Sequence, residues 1–284
     1  MSDDSGFRSG FVTFVGRPNV GKSTLLNRIV GEKVSIVSNK VQTTRHQVRG
    51  VLTRPDVQVV FVDTPGIHKP QTLMGERLNE AALDATSGVD VVCVLIDATA
   101  PLGRGDQWVL DRAPDDAVIV VNKCDRAGRD KVLAQLARAG EHPASAFFPV
   151  SARTGEGVDA LVDHLAARMP PGPRWYPEGV VSELGEGFRV AELVREQLLA
   201  RAREELPHSI ATRCVEWEWP RVRVEILVER ESQKGIVIGK GGGVLKEVGI
   251  AVRRQMPAGA HLELQVVVDK DWQRRPDSLD RLGY

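Results

Sequence analysis

Apolar and polar residues follow two patterns along the chain. In the first part, short apolar runs alternate with stretches of helical periodicity, and the run VDVVCVLI at 89–96 is typical of a strand buried on both faces. Strands that alternate with helices indicate a mostly parallel sheet with helices on both sides. The predicted strands are 11–15, 48–53, 57–62, 89–96, 117–121 and 147–150, and the predicted helices are 22–30, 73–87, 130–139 and 158–168.

The pattern changes after a proline-rich stretch at 170–173, which ends the last of these helices and predicts a linker. Beyond it the order is helix, strand, strand, helix, strand, which indicates a smaller α+β domain. These elements are predicted at 190–206, 213–219, 222–230, 244–255 and 261–269. We therefore expect a first domain over 1–172, a linker over 173–188 and a second domain over 189–284.

Composition narrows the functional classes. With 42% hydrophobic and 27% charged residues the chain is ordinarily globular, and 38 Lys+Arg against 38 Asp+Glu argues against a polybasic protein that coats nucleic acid. The three cysteines lack C-x-x-C spacing, which argues against a disulfide framework and structural zinc. Neither a signal peptide nor a membrane span is expected, since no stretch reaches 18 apolar residues.

A phosphate-binding loop is predicted between the first strand and the first helix. The stretch GRPNVGKS fits G-x-x-x-x-G-K-[ST], in which backbone amides and a helix N-terminus surround phosphate oxygens. Lys22 would reach the β- and γ-phosphates, and Ser23 would place its hydroxyl on Mg²⁺. The alternative is a glycine-rich turn that matches by chance. The nucleotide-binding residues predicted here are Gly16, Arg17, Pro18, Asn19, Val20, Gly21, Lys22, Ser23 and Thr24.

The base is predicted to be guanine. Asp125, in the stretch NKCD, can accept hydrogen bonds from guanine N1–H and the exocyclic amine, whereas adenine would leave the carboxylate unpaired. The stretch SAR follows the next strand and can close over the base. An ordinary strand-end turn is the alternative for each stretch taken alone. The base-side residues predicted are Asn122, Lys123, Asp125, Ser151, Ala152 and Arg153.

A metal and catalytic set is predicted from two further loops. Asp63, in the stretch DTPG, can hold Mg²⁺ through water, and the Gly66 amide can reach a γ-phosphate. The stretch QTTRH can supply a second hydroxyl, for which we favour Thr44 over Thr43, with a solvated polar loop as the alternative. The nucleotide site thus also includes Asp63, Thr64, Pro65 and Gly66. The metal ligands expected are Ser23, Thr44 and Asp63. The catalytic residues expected are Lys22, Asn19, Thr44 and Gly66.

Five stretches resemble the GTPase domain of the translation-factor-like small GTPases: GRPNVGKS, QTTRH, DTPG, NKCD and SAR. Many such enzymes position water with a Gln after D-x-x-G, but here the residue is Ile67, whose apolar side chain cannot orient water. In this respect the chain resembles the group of GTPases that have a hydrophobic residue in place of this Gln. In some relatives a P-loop Asn helps to hold K⁺, and Asn19 matches it, so we hypothesise K⁺ assistance; the alternative is that Asn19 only shapes the loop. His68 as general base is less favoured.

A second loop predicts RNA binding. The stretch KGIVIGKGG contains a G-x-x-G turn of the kind with which KH domains clamp about four nucleotides of single strand. Residues 234–254 contain five basic residues and one acidic residue, Glu247. The basic residues are Lys234, Lys240, Lys246, Arg253 and Arg254. A plain turn is the alternative for the loop in isolation. The RNA-binding residues predicted are Lys234, Gly239, Lys240, Gly241, Gly242 and Lys246.

Over its whole length the chain resembles the Era-type GTPases of the TrmE-Era-EngA-like superfamily, which carry a C-terminal type II KH domain. The stretches GRPNVGKSTLLN, QTTRH, DTPGIH, NKCD, VERESQKGIVIGKGG, ELPHS and LGY carry the resemblance. It implies a GTP hydrolase that acts in small (30S) ribosomal subunit assembly and rRNA maturation and binds single-stranded RNA near the 3′ end of 16S rRNA. It further implies a cytoplasmic monomer with peripheral association with the inner membrane surface, although no anchor is visible in the sequence.

Two rival functions stay open at this point. In one, the GTPase acts in tRNA modification or another RNA process, and RNA binding merely localises it. In the other, the chain is an RNA-binding module whose nucleotide site is only a structural holder.

Overall fold

The structure, a computed structural model, describes residues 6–67, 70–201 and 206–284. The chain divides into two compact units. The first comprises 1–35, 44–69 and 78–183, and the second comprises 36–43, 70–77 and 184–284. The domain and linker bounds expected from the sequence remain a prediction.

The described part of the first unit contains a six-stranded sheet. Its strands are β1 (Arg8–Val15), β2 (Val48–Thr53), β3 (Val57–Asp63), β4 (Val91–Asp97), β5 (Val118–Asn122) and β6 (Ala146–Pro149). The helices along this part of the chain are α1 (Lys22–Val30), α2 (Leu73–Asp84), α3 (Arg104–Leu110), α4 (Arg129–Ala139) and α5 (Val158–Ala167). The strand order is β2-β3-β1-β4-β5-β6, and every pair is parallel except β2 with β3.

Parallel pairing brings the loops that carry the candidate chemistry to one edge of this sheet. Phe14 pairs with Asp63, and Asp97 pairs with Asn122, so β1, β3, β4 and β5 reach the same edge with their carboxyl ends. Every residue of β3 and β5 is buried. Such strands form a rigid base, which fixes the loops that follow them.

Several elements along this part of the chain differ from the prediction; for example, α2 ends at Asp84 rather than at residue 87, and β4 begins at Val91 rather than at residue 89. The strand β1 begins at Arg8 rather than at residue 11, because Arg8 and Ser9 pair with β3 although their side chains are polar. Helix α3 was not predicted, since its seven residues are too few to show a clear helical period. Asp106 stabilises its first turn by accepting the Gly103 amide at 2.9 Å.

The second unit contains, in its described residues, a three-stranded sheet with the order β7-β8-β9. The strands β7 and β8 are antiparallel, and β8 and β9 are parallel. The buried core of the unit includes Val194, Ile226 and Val248. The elements are α6 (Glu186–Arg201), α7 (Leu206–Ser209), β7 (Ala211–Glu218), β8 (Arg221–Val228), α8 (Glu231–Ile238), α9 (Gly243–Arg253), β9 (His261–Val268) and α10 (Pro276–Leu282).

The expected order of a single helix between the last two strands is wrong. Two helices, α8 and α9, lie there, and α8 covers residues 234–238 of the stretch expected to be a glycine-rich turn. Gln233 stabilises the start of α8, because its side-chain oxygen accepts hydrogen bonds from the amides of Glu229 and Arg230. Helix α10 was also missed. Among the helices that the structure describes, none combines the length and the apolar character that a membrane-spanning helix requires.

Candidate functional site

The loop between β1 and α1 has the geometry of a phosphate cradle. Gly16, Asn19 and Gly21 have positive φ angles of 152°, 62° and 105°, which favour glycine and are tolerated by Asn. A Cβ on Gly21 would lie 2.2 Å from Asn122 Nδ2, and one on Gly16 would lie 2.6 Å from the Leu95 carbonyl oxygen. Both positions therefore require glycine on grounds of space as well as of conformation.

Lys22 points its ammonium into this loop. The side chain is buried, and Nζ donates to the carbonyl oxygens of Gly16 at 3.0 Å and Arg17 at 3.1 Å. Burial lowers the pKa of Lys22 to about 8, although the charge of Asp63 opposes the shift. A buried cation whose hydrogen bonds within the described residues go to carbonyl oxygens favours an anionic ligand, since a phosphate would stabilise its protonated form.

Hydroxyl groups surround the Asp63 carboxylate. Asp63 Oδ2 accepts hydrogen bonds from Ser23 Oγ at 2.6 Å, Ser35 Oγ at 2.8 Å and Thr44 Oγ1 at 3.4 Å. Ser23 Oγ and Thr44 Oγ1 are 2.9 Å apart. Thr43 differs, because its hydroxyl donates to the Lys40 carbonyl at 2.6 Å. Of the two adjacent threonines, Thr44 is therefore the one whose hydroxyl meets Ser23 and Asp63.

This group fits a hard divalent cation. Asp63 is fully buried, and its Oδ1 has no hydrogen-bond partner in the described part of the chain. Burial raises the pKa of Asp63, while the charge of Lys22 and the surrounding hydroxyls oppose the shift. Mg²⁺ prefers oxygen ligands and is commonly bound through only one or two carboxylates. Ser23, Thr44 and Asp63 offer that donor set.

Asn122 joins the phosphate loop to the base-side loops. Its Nδ2 donates to the Val20 carbonyl at 2.8 Å, and its Oδ1 accepts the Ala152 amide at 3.0 Å. Lys123 lies beside it and donates from Nζ to the Asn19 carbonyl and to Asp97 Oδ2, both at 2.6 Å. Burial raises the pKa of Asp97, but hydrogen bonds from Lys123 and Thr99 outweigh it and hold that pKa below its ordinary value.

Asp125 is the residue that the sequence predicts to recognise the base. Oδ1 accepts the Ser151 hydroxyl at 2.7 Å, and Oδ2 lies 2.5 Å from Arg153 Nη2. The hydrogen bond from Ser151 is the main reason that the pKa of Asp125 is lowered, with Arg153 adding to it. Arg28 supports the loop, because its Nε donates to the Ala152 carbonyl at 3.2 Å and its Nη2 to the Arg153 carbonyl.

The loop after β3 passes close to the cradle. A Cβ on Gly66 would lie 2.7 Å from Pro18 Cα, which explains the need for glycine there. Thr64 is buried and donates from its hydroxyl to the Phe14 carbonyl at 2.7 Å. Ile67 donates from its amide to the Gly16 carbonyl at 3.3 Å, and its side chain packs against the apolar core. His68 lies outside the described residues.

The remaining expected nucleotide residues line the same loops. Val20 is buried, whereas Arg17 directs its guanidinium to Asp106 at 2.7 Å. Thr24 is half-buried in the first turn of α1, and Pro65 is buried beside Gly66. The sequence reasoning missed Ser35, Asp97 and Arg28. Only Asp97 carried a signal, as a carboxylate that follows a buried apolar strand.

The glycine-rich loop of the second unit joins α8 to α9. Gly239, Gly241 and Gly242 have φ angles of 74°, 59° and 75°. A Cβ on Gly239 would lie 2.5 Å from Val244 Cγ2, whereas open space surrounds the other two. Lys240 and Lys246 are exposed near this loop, and Lys234 is half-buried in α8. Backbone amides and basic side chains are thus available to a phosphodiester chain.

Comparison with known proteins assigns both parts of the chain. Residues 11–123 match the family model described as 50S ribosome-binding GTPase, and residues 205–273 match the model of the KH domain. The chain is 47% identical to GTPase Era of Mycobacterium sp. (strain KMS) over an alignment of 299 positions that covers 99% of this chain and 100% of that protein. The chain belongs to the Era family of GTPases. GTPase Era of Mycolicibacterium smegmatis is 46% identical to the chain, and the alignment covers 98% of this chain and 99% of that protein.

Solved Era structures have the same fold. A crystal structure of Era in complex with MgGDPNP and nucleotides 1506–1542 of 16S ribosomal RNA matches with a TM-score of 0.93, 36% identity, and 98% and 99% of the two chains covered. A single-residue variant of Aquifex aeolicus Era bound to GDP and AlF₄⁻ matches with a TM-score of 0.92 at the same identity and coverage. The predicted fold class, a P-loop GTPase domain followed by a KH domain, is confirmed, and membership of the Era family makes the protein a GTP hydrolase.

Proposed function

We propose that this member of the Era family binds GTP and GDP at the β1–α1 cradle, hydrolyses GTP with Mg²⁺ and acts in small ribosomal subunit assembly and rRNA maturation. We propose further that its KH domain binds single-stranded RNA near the 3′ end of 16S rRNA. The observation that carries the nucleotide part is the cluster formed by the half-buried Ser23 and the buried Thr44 and Asp63 beside Lys22. The solved Era complex with MgGDPNP and a 16S rRNA segment supports the choice of ligands.

In this proposal the cradle binds and orients the triphosphate. Backbone amides of the loop and the N-terminus of α1 stabilise the phosphate charge, and Lys22 reaches the β- and γ-phosphates. Ser23, Thr44 and Asp63 hold Mg²⁺, which neutralises charge on the phosphate oxygens when it is bound. The Gly66 amide belongs to a loop that passes close to Pro18 of the cradle, and we expect it to donate to the γ-phosphate.

Water activation cannot come from the residue after Gly66. Ile67 has no polar side-chain atom, and its side chain packs against the core. The exposed P-loop Asn19 is the residue that we propose to help hold K⁺, which would supply positive charge near the phosphates. If Asn19 only shapes the loop, which its φ of 62° also suits, then hydrolysis rates in K⁺ and Na⁺ will be equal.

We also propose that nucleotide state is coupled to RNA binding. Within the second unit, the buried Arg195 of α6 donates to the Thr43 carbonyl, and Glu196 accepts the Val37 amide at 3.0 Å. The next residue along the chain, Thr44, belongs to the first unit, where it contacts Ser23. Ordering of 42–46 and 63–75 by GTP, in which residues 68 and 69 lie outside the described part of the chain, would therefore change segments that belong in part to the second unit. Equal RNA affinity of the GTP and GDP forms, with hydrolysis unaffected by RNA, would refute this coupling.

Single-turnover hydrolysis tests the enzymatic part. The wild-type chain should release phosphate from GTP in the presence of Mg²⁺ and K⁺, and release should fall strongly when Mg²⁺ is chelated. No phosphate release would favour the structural nucleotide holder instead.

Crosslinking to RNA in cells tests the ribosomal part. The proposal predicts crosslinks at the 3′ end of 16S rRNA, whereas crosslinks confined to tRNA would favour the rival role in tRNA modification. The cytoplasmic location, the monomeric state and the association with the membrane surface remain predictions.

A further inference from the structure

The carboxylate at the base-recognition position has two different partners. Ser151 donates to Asp125 Oδ1 at 2.7 Å, and Arg153 Nη2 lies 2.5 Å from Oδ2. The Asp125 side chain is only 8% exposed, whereas the Arg153 side chain is 71% exposed. The oxygen that Ser151 leaves free is thus covered by a guanidinium that reaches in from the surface.

Arginine and guanine present the same chemical group to a carboxylate. In guanine, N1–H and the exocyclic N2–H are attached to one carbon and point in one direction. A guanidinium likewise carries N–H donors on nitrogens bonded to one carbon, and this fork matches a carboxylate. An ionised Asp only accepts hydrogen bonds, so the guanidinium and the guanine base would donate to the same carboxylate oxygens.

We propose that Arg153 competes with the guanine base for Asp125 and thereby sets the affinity for GTP and GDP. The inference rests on the proposed nucleotide function. It reverses the role expected from the sequence, in which Arg153 helps to close over the base. Guanine donates to both oxygens of Asp125 only after Arg153 has released Oδ2, and Arg153 covers that oxygen again when the nucleotide leaves.

The main chain of the loop is fixed independently of this side chain. Arg28 Nε donates to the Ala152 carbonyl at 3.2 Å, and the Ala152 amide donates to Asn122 Oδ1 at 3.0 Å. Release of Asp125 therefore requires only a rotation of the Arg153 side chain into solvent. A substitution at Arg153 removes the competitor and leaves the loop and the fold in place.

The test measures GDP binding to the full chain by calorimetry at fixed Mg²⁺ and salt. Because Arg153 is exposed, its ion pair is weak, and Arg153→Gln should tighten the GDP dissociation constant by about two- to fivefold. The matched control is Arg126→Gln, which removes the same charge from an exposed arginine next to Asp125 and should leave the constant unchanged. Unchanged or weaker GDP binding by Arg153→Gln overturns the inference, the latter because Arg153 would then support the base.

A second arm uses Asp125→Asn with xanthosine diphosphate. Without the carboxylate there is nothing to compete for, so adding Arg153→Gln should leave xanthosine diphosphate binding unchanged. Tightening in both backgrounds overturns the inference, because it would be a general effect of charge. Failure of the proposed function gives a separate result, since the wild-type chain would then bind no GDP at all.

Discussion

Replacing Asn122 by alanine should destabilise the first unit through loss of one buried bridge. The Asn122 side chain is 2% exposed and makes hydrogen bonds of 2.8 and 3.0 Å to the Val20 carbonyl and the Ala152 amide. Each bond contributes about 1 kcal/mol net, and each buried group left without a partner costs about 1–3 kcal/mol. Because water can enter the space left by the side chain and meet part of that cost, we expect a loss of about 2–4 kcal/mol in the free energy of opening.

Amide hydrogen exchange is the suitable assay, because the two units need not unfold together and exchange reports the opening free energy of each segment. Peptides covering β1 and β5 should lose protection in Asn122→Ala, while peptides covering β8 should not. Gln107→Ala is the matched control, since it removes an exposed amide and should change the opening free energy by less than about 0.5 kcal/mol. A loss below about 0.5 kcal/mol in Asn122→Ala would refute the bridge as a stabilising contact.

Three further predictions concern other residues. Because the pKa of Lys22 is about 8, about half of the free protein lacks the Lys22 proton at pH 8 and about a tenth lacks it at pH 7. Nucleotide binding favours the charged form and should therefore take up about half a proton at pH 8 and about a tenth at pH 7. Calorimetry in buffers of different ionisation enthalpy measures this uptake, and equal values at the two pH values would contradict the prediction. Lys240→Ala should weaken single-stranded RNA binding and reduce the slope of log affinity against log salt by about 0.7, while an unchanged slope would remove Lys240 from the phosphate contacts. Gly239→Ala should weaken RNA binding more than Gly241→Ala, because its Cβ would lie 2.5 Å from Val244 Cγ2; the reverse order, measured by the same titration, would refute that reasoning.

Local sequence patterns predicted most of the fold. Strands β4 and β5 are almost continuous apolar runs, and two of the three residues with positive φ in the phosphate loop are glycines, so short windows were sufficient there. Helix α8 was missed because the stretch 234–242 was interpreted as a glycine-rich turn. The hydrogen bonds by which the Gln233 side chain stabilises the start of this helix become visible only in the structure.

The parts of the site that were missed depend on contacts between distant residues. Ser35 bonds Asp63 from 28 positions away, and Arg28 supports Ala152 from 124 positions away. Ser35 and Arg28 belong to none of the sequence motifs. A single serine or a single exposed arginine also leaves no periodic pattern in the sequence from which such a contact could be predicted. Asp97, whose charge pairs with Lys123, is the one that could have been inferred, since parallel strands end at one edge.

Guanine recognition by Asp125 above a phosphate cradle is the claim on which the account rests. Calorimetric titration of the nucleotide-free full chain with GTP and, separately, with ATP at equal Mg²⁺ tests it most directly. We predict a saturable heat with GTP and none with ATP, and in Asp125→Asn a preference for xanthosine triphosphate over GTP. Equal binding of GTP and ATP, or no heat with either, would contradict the account.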